Sequence, residues 1–293
     1  MRTIGFACTS AEAELAPAHF DRREARPNDV VMEILYCGVC HSDLHWARND
    51  WGWTLYPAIP GHEIIGRVIE AGPEVTRHKV GDIVAVGCMV DSCQQCDQCH
   101  KGEEQLCREG NTGTYGGFDR VTKEYTLGGY SKHLVVREEF ALKVPTGLDI
   151  SKAAPLLCAG ITTYSPLRTW NVGPGSRVGV IGLGGLGHMA VKLAAAMGAS
   201  VTVLSRSDSK KHDALELGAD SLLVSSDPEA MARSANAFAL IIDTVPVDHD
   251  INSYMQLPDV YGTLVIVGQV APIAAPSTVP LLRGRGRHVG RPI

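Results

Sequence analysis

The sequence has no apolar run long enough to cross a membrane. The best candidate, around 178–204, is broken by His188, Lys192 and several glycines. A secretory leader is not expected either: the opening MRTIGFACTSAEAEL places Glu12 and Glu14 where an apolar core would be needed. These two absences predict a cytoplasmic protein with no membrane partner. Positive charge is not in excess. The formal net charge is −5 and no basic patch is interleaved with aromatics, which argues against nucleic acid and anionic lipid as partners. Internal repeats are lacking, and so is the low hydrophobicity of disordered chains, since 45% of residues are apolar and 20% charged.

Cysteine, by contrast, is plentiful. The nine cysteines are Cys8, Cys37, Cys40, Cys88, Cys93, Cys96, Cys99, Cys107 and Cys158. The odd number argues against a closed disulfide framework, and clustered cysteines in a cytosolic chain of this size bind metal or do chemistry.

A length of 293 residues suggests two domains. The texture changes near residue 147. Before it, short apolar runs at 30–38, 63–72, 82–87 and 130–136 read as strands punctuated by Gly61, Gly66, Gly72, Gly81, Gly128 and Gly129. After it, strands at 177–182, 201–205, 221–224, 239–243 and 263–268 alternate with helical segments at 187–198 and 210–218, the pattern of a parallel sheet covered on both faces. The segment PLLCAGITTYSPL (155–167) reads as a loop between the halves. The fold class expected is therefore mixed: a β-rich first half and an α/β second half.

Cys93, Cys96, Cys99 and Cys107 form C-x2-C-x2-C-x7-C. Four thiolates this close suit a tetrahedral soft-ligand site. A bacterial ferredoxin run would bring the fourth cysteine nearer and follow it with proline, whereas here Arg108 follows, so a closed structural zinc site is favoured over an iron–sulfur cluster. In the second half, Gly182, Gly184 and Gly187 spell G-x-G-x-x-G. Such a turn is weak evidence alone, but here it follows an apolar strand and opens a helix, the context that cradles a dinucleotide pyrophosphate. The next strand ends at Ser205, where an NAD enzyme would carry an acidic residue for the ribose hydroxyls. Ser205, Arg206, Ser207 and Lys210 supply hydroxyls and cations suited to a 2′-phosphate, which predicts NADP(H), with Asp208 beginning or capping the following helix.

The segments GVCHSDLH (38–45), PGHE (60–63), PLLCAGIT (155–162) and GLGGLGHM, with the cysteine cluster, resemble those of zinc-dependent medium-chain alcohol dehydrogenases of the NADP-dependent, cinnamyl-alcohol-dehydrogenase type. The resemblance implies a GroES-like catalytic zinc domain over 1–147 and a Rossmann domain over 148–283. It implies two zinc ions per chain and a homodimer. Cys40, His62 and Cys158 would hold a catalytic zinc and leave a fourth position for water or substrate oxygen, a Cys2His pattern that is a known alcohol-dehydrogenase example. Glu63 would lie beside that zinc. Ser42 and His45, with Asp50 orienting the histidine, would relay the proton. Gly185, Leu186 and Thr162 would join the nucleotide contacts. Trp51 and Trp53 would line a cleft for flat, apolar aldehydes. The implied reaction is hydride transfer between NADP(H) and a primary alcohol or aldehyde, aromatic or broad in range. The alternative is a catalytically impaired remnant that still binds zinc and nucleotide. A nucleic-acid-binding zinc module is opposed by the charge, and a zinc-free quinone reductase by the ligand set.

The resemblance fails after VPLLRGR (279–285). Relatives continue through a further strand and return to the catalytic domain, whereas residues 284–293 read GRGRHVGRPI, with no apolar pattern to pack. This is expected to be an aberrant tail, left by a frameshift, a shortened gene or an assembly error. The sixth strand of the Rossmann sheet would then be missing or disfigured, an edge exposed, and the dimer compromised.

A Ser205→Asp substitution is expected to move cofactor preference toward NAD(H), read as the ratio of kcat/KM for the two nucleotides; an unmoved ratio would show that this strand end does not select the cofactor.

Overall fold

The computed structural model describes residues 1–268 and 287–290. The chain divides into two compact units, Met1–Cys158 and Ala159–Ile293.

The first unit is built from strands β1 (Arg2–Ala7), β2 (Ala16–Asp21), β3 (Asp29–Cys37), β4 (Ile64–Ala71), β5 (Ile83–Val86), β6 (Met89–Asp91), β7 (Thr112–Gly113), β8 (His133–Arg137) and β9 (Leu142–Lys143), with short helices α1 (His41–Ala47) and α2 (Ile150–Ala153). Strands β8-β3-β4-β5-β9 form an antiparallel five-stranded sheet. Its alternating apolar residues, Val30 and Met32 on β3, Ile64 and Val68 on β4, Val84 and Val86 on β5, Leu134 and Val136 on β8, meet in one buried cluster. The β1–β2 hairpin had no strong signature in the sequence, and neither did α1, whose seven residues include two histidines, a serine and an aspartate. This is the GroES-like β domain.

The second unit contains α3 (Ala159–Thr169), β10 (Arg177–Ile181), α4 (Gly185–Ala196), β11 (Ser200–Ser205), α5 (Lys211–Glu216), β12 (Ser221–Val224), α6 (Pro228–Arg233), β13 (Phe238–Asp243), β14 (Pro258–Ile266) and β15 (Arg287–Gly290). The six strands are parallel, in the order β12-β11-β10-β13-β14-β15, the doubly wound Rossmann arrangement. Alternate residues feed two cores: Val178, Val180, Val201, Val203, Leu240 and Ile242 on one face, Ile181, Leu204, Ile241, Leu264 and Ile266 on the other. Near-continuous apolar strands are what a sheet buried on both faces demands.

Two expectations are corrected. Residues 155–167 were expected to form a loop. Instead a 3-10 turn at Ala154–Leu157 leads into Cys158, and α3 follows. Glycine, two threonines and Pro166 disguise the helix, yet its buried residues Ala159, Gly160, Thr162, Thr163, Pro166 and Leu167 fall on one helical face. Thr163 turns its hydroxyl back to the Ala159 carbonyl at 2.8 Å instead of presenting it to the core. The sixth strand, expected to be missing or disfigured, is present at Arg287–Gly290, where Thr263 to Ile266 pair with 287–290. A parallel ladder is made by main-chain groups, so an edge strand can form without an apolar pattern. The segments 279–286 and 291–293 lie outside the described residues. Among the described residues no helix is long and apolar enough to cross a membrane.

A largely buried polar cluster ties together distant segments of the first unit. Arg23 pairs with Asp29 and, at 3.2 Å, with Asp119; Arg26 also pairs with Asp119. Asp119 further accepts the N–H groups of Val121 at 2.9 Å and Thr122 at 2.8 Å. Burial opposes its ionisation, but Arg26 and these N–H donors prevail and hold its carboxyl at about 2. A carboxyl held low in the folded state adds stability that is complete above the unfolded value of about 4 and is lost as pH falls toward 2. Asp119→Asn should therefore lower stability by about 1–3 kcal/mol at neutral pH, and the difference from wild type should shrink in denaturant titrations carried below pH 4.

Candidate metal centres and nucleotide turn

Cys40 stands immediately before α1 with extended backbone angles, and Asp43, three residues on, returns its carboxylate to the Cys40 N–H at 2.9 Å. His62 is carried by the turn that precedes β4, where Gly61 adopts φ +101°. Cys158 closes the 3-10 turn at the end of the first unit. These three segments bring one ligand atom each from Cys40, His62, Glu63 and Cys158 within 4.8 Å of one another. The Cys40 and Cys158 sulfurs lie 3.7 Å apart. Zinc–sulfur bonds of about 2.3 Å at tetrahedral angles place two sulfurs about 3.8 Å apart, so the spacing fits a single ion.

The electrostatics agree with that fit. The Cys158 sulfur, and then burial, push the Cys40 thiol well above its ordinary value. For His62, burial alone would favour the neutral ring; Asp43, Cys158 and Cys40 outweigh it and push the value up to about 12. Two sulfurs and an imidazole that converge on one point, with the Glu63 carboxylate beside them, are a donor set for a divalent ion. A side chain at Gly38 would place its Cβ 2.1 Å from the Glu63 carboxylate, so glycine there makes room for Glu63.

Sequence reasoning missed Asp43. Its carboxylate is buried and accepts from four donors: Gly61 N–H at 2.9 Å, His62 Nδ1 at 3.0 Å, Cys40 N–H at 2.9 Å and the Tyr130 hydroxyl at 2.9 Å. By accepting the Nδ1–H it keeps the proton on that nitrogen and leaves Nε2 of His62 as the ligand atom. The available signal was the Cys-x-x-Asp spacing at the start of a helix. Tyr115 lies edge-on to the His62 ring at 5.4 Å.

The remaining candidates of the first unit gather on and after α1. Ser42 and His45 are three residues apart and share a face of that helix. His45 Nδ1 lies 2.7 Å from the Asp50 carboxylate and its ring stacks on His41 at 5.0 Å. Nε2 of His45 is buried and has no hydrogen-bond partner among the described residues. Trp51 and Trp53 stack at 5.7 Å and 11°; Trp53 is 51% exposed, whereas Trp51 is partly buried against the cluster of Cys8, Trp46 and Ala58.

The second cluster is local. The sulfurs of Cys93, Cys96, Cys99 and Cys107 lie within 4.8 Å of one another, with Cys96–Cys99 at 3.5 Å and Cys93–Cys99 at 3.9 Å. Backbone N–H groups point at the sulfurs: Cys93 N to Cys107, Cys96 N to Cys93 and Arg108 N to Cys96, each at 3.4 Å. The N–H groups of Arg108 and Cys99 bring the Cys96 thiol down to about 6. Four sulfurs would fill every position of a tetrahedral ion held here, and such a site would have no opening for substrate.

In the second unit, β10 runs into Gly182 at φ +86°, and α4 begins at Gly185 with Gly184 as its cap. A Cβ on Gly187 would fall 2.3 Å from the Gly182 carbonyl, whereas one on Gly184 or Gly185 would meet nothing within 4 Å. Gly187 thus permits the tight packing of turn on helix, and Gly184 and Gly185 leave the backbone open to a phosphate. Leu186 is half-buried and Thr162 is buried within α3. Ser205 ends β11; Arg206, Ser207 and Lys210 are exposed beyond it, and Lys210 reaches back to the Leu183 carbonyl in the glycine turn at 3.4 Å. Asp208 opens the 3-10 turn that leads to α5 without capping it.

A family model described as an alcohol dehydrogenase GroES-like domain matches residues 26–146, and one described as a zinc-binding dehydrogenase matches 185–289. The NADP-dependent alcohol dehydrogenase C 1 of Mycolicibacterium smegmatis is 50% identical over 293 residues, which are 99% of this chain and 83% of that one. The chain belongs to the zinc-type medium-chain alcohol dehydrogenases. Among solved structures, a cinnamyl alcohol dehydrogenase from Sorghum bicolor superposes on this family member with a TM-score of 0.95 at 42% identity, over 99% of this chain and 83% of that one. The Helicobacter pylori enzyme of the same kind, complexed with NADP(H), gives 0.91 at 40% identity, over 100% and 84%.

Asp43→Asn should weaken zinc binding at the Cys40–His62–Cys158 cluster by about 10–100-fold, the usual cost of losing a carboxylate behind a metal-bound histidine. Competition against a chromogenic chelator reads the change directly, and unaltered affinity would show that Asp43 does not organise the site.

Proposed function

We propose that this alcohol dehydrogenase is of the cinnamyl-alcohol-dehydrogenase type and interconverts primary alcohols and aldehydes with NADP(H), acting on aromatic or broad-range substrates in the cytoplasm. The observation that carries the reading is the convergence of Cys40, His62 and Cys158 from three distant segments onto one ion-sized space. Zinc bound there supplies Lewis acidity toward the substrate oxygen. NADP(H) supplies or accepts the hydride. A second zinc in the Cys93–Cys96–Cys99–Cys107 cluster supplies structure.

The chain's own residues do the rest. Asp43 fixes the ring of His62, and Glu63 stands beside the ligand set. Ser42 passes the hydroxyl proton toward His45, whose Nδ1 is held by Asp50 and whose Nε2 is available to move the proton on. Trp51 and Trp53 offer a stacked, partly exposed apolar wall to a flat substrate. Gly182, Gly184, Gly185, Leu186 and Gly187 present backbone to the pyrophosphate, with Thr162 adding a hydroxyl. Ser205, Arg206, Ser207 and Lys210 receive the 2′-phosphate. A homodimer is expected, and β15, outermost in the sheet, is the edge suited to pairing with a second copy.

The test is NADPH oxidation by the purified chain with benzaldehyde or cinnamaldehyde, with zinc measured on the same sample. Turnover that Cys40→Ser abolishes is expected, with about two zincs per chain. A fully zinc-loaded protein with no turnover would overturn the catalytic reading.

A further inference from the structure

The turn that presents His62 is held by a segment far away in sequence. Gly128 N donates to the Ile59 carbonyl at 2.6 Å, Gly129 N to Gly61 at 2.7 Å and Tyr130 N to Pro60 at 2.9 Å. The approach is so close that side chains are excluded on both sides. A Cβ on Gly128 would lie 2.3 Å from the Pro60 carbonyl oxygen, one on Gly129 would lie 2.4 Å from Ile64, and one on Gly61 would lie 2.7 Å from the Tyr130 ring. The Gly128–Gly129–Tyr130 segment therefore clamps the Pro60–Gly61–His62 turn, and the clamp delivers the Tyr130 hydroxyl to Asp43 Oδ2 at 2.9 Å.

We propose that Tyr130 is a positioning residue for the metal held by Cys40, His62 and Cys158, acting through Asp43. The proposal rests on the reading of that cluster as a zinc site. Oδ2 of Asp43 has two donors, the Cys40 N–H and the Tyr130 hydroxyl, while Oδ1 takes Gly61 N–H and His62 Nδ1. With both oxygens occupied, the carboxylate cannot turn about its own axis, and Oδ1 stays in line with the imidazole. Burial and the neighbouring Asp43 charge raise the Tyr130 hydroxyl above its ordinary value, so it remains a donor throughout the working range of pH. Without that hydroxyl, Oδ2 loses one of its two donors and the plane of the carboxylate is held less firmly. The effect should reach the metal as a lower affinity at one site of two.

The experiment compares the full-length wild type with Tyr130→Phe, Asp43→Asn and the double variant, by zinc competition with a chromogenic chelator and by the visible spectrum after cobalt substitution. Tyr130→Phe keeps the ring packed on Gly61 and removes only the hydroxyl. It is expected to weaken one zinc by about tenfold, to leave the zinc of the Cys93 cluster unchanged, and to alter the cobalt ligand-field bands. In the Asp43→Asn background it should add nothing, because its influence passes through that carboxylate. Unchanged affinity, equal weakening of both zincs, or full additivity in the double variant would each overturn the proposal. A wild type that binds zinc only at the Cys93 cluster, as shown by Cys40→Ser losing none, would overturn the metal reading itself and this proposal with it.

Discussion

Much of the first unit turns on a buried negative charge. The Asp43 carboxylate sits where an isolated ion would be costly, and it is tolerated because every direction around it holds a donor. Those donors belong to the start of α1, to the turn before β4 and to the segment before β8. The same four hydrogen bonds thus join three elements and set the tautomer of His62. Burial works against Asp43, yet its pKa is lowered, with His62 the largest favourable contributor. The charge is stable only while these elements are assembled, and their assembly is what gives Cys40 and His62 a common focus.

The second unit shows a different economy of means. Its glycines solve a problem of approach: Gly187 lets helix and turn meet, and Gly184 and Gly185 keep the backbone bare. Lys210 reaches from the segment after β11 to the Leu183 carbonyl of that turn at 3.4 Å, so the groups proposed for a 2′-phosphate and the turn proposed for a pyrophosphate lie next to each other within one unit.

Legibility in the sequence followed physical cause. The strands β10, β11 and β13 were readable because both faces are largely buried and the residues are apolar almost without interruption. The four-cysteine cluster was readable because its ligands are close in sequence. The strand β15 was not, because main-chain pairing with β14 leaves no mark on side-chain pattern. The helix α3 was hidden by residue types that usually break helices, although its burial face has helical spacing. Cys40, His62 and Cys158 could be grouped only by resemblance, for a lone cysteine or histidine carries no spacing signal. Asp43 and Tyr130 were invisible for the same reason: a carboxylate and a phenol 87 residues apart become partners only through the fold.

The two sulfur clusters differ in how far the chain must travel to close them. Cys93 to Cys107 form a short local loop, whereas Cys40 and Cys158 are 118 residues apart, and Cys158 is the final residue of its unit. During synthesis from the N-terminus, the local cluster is complete once residue 107 has left the ribosome. The other lacks a ligand until the last residue of the unit emerges, and closing so long a loop carries a larger entropic cost that the ion helps to offset. The full ligand set of that site therefore exists only after the whole unit has emerged, and a nascent chain stalled before residue 158 lacks one of its two sulfurs.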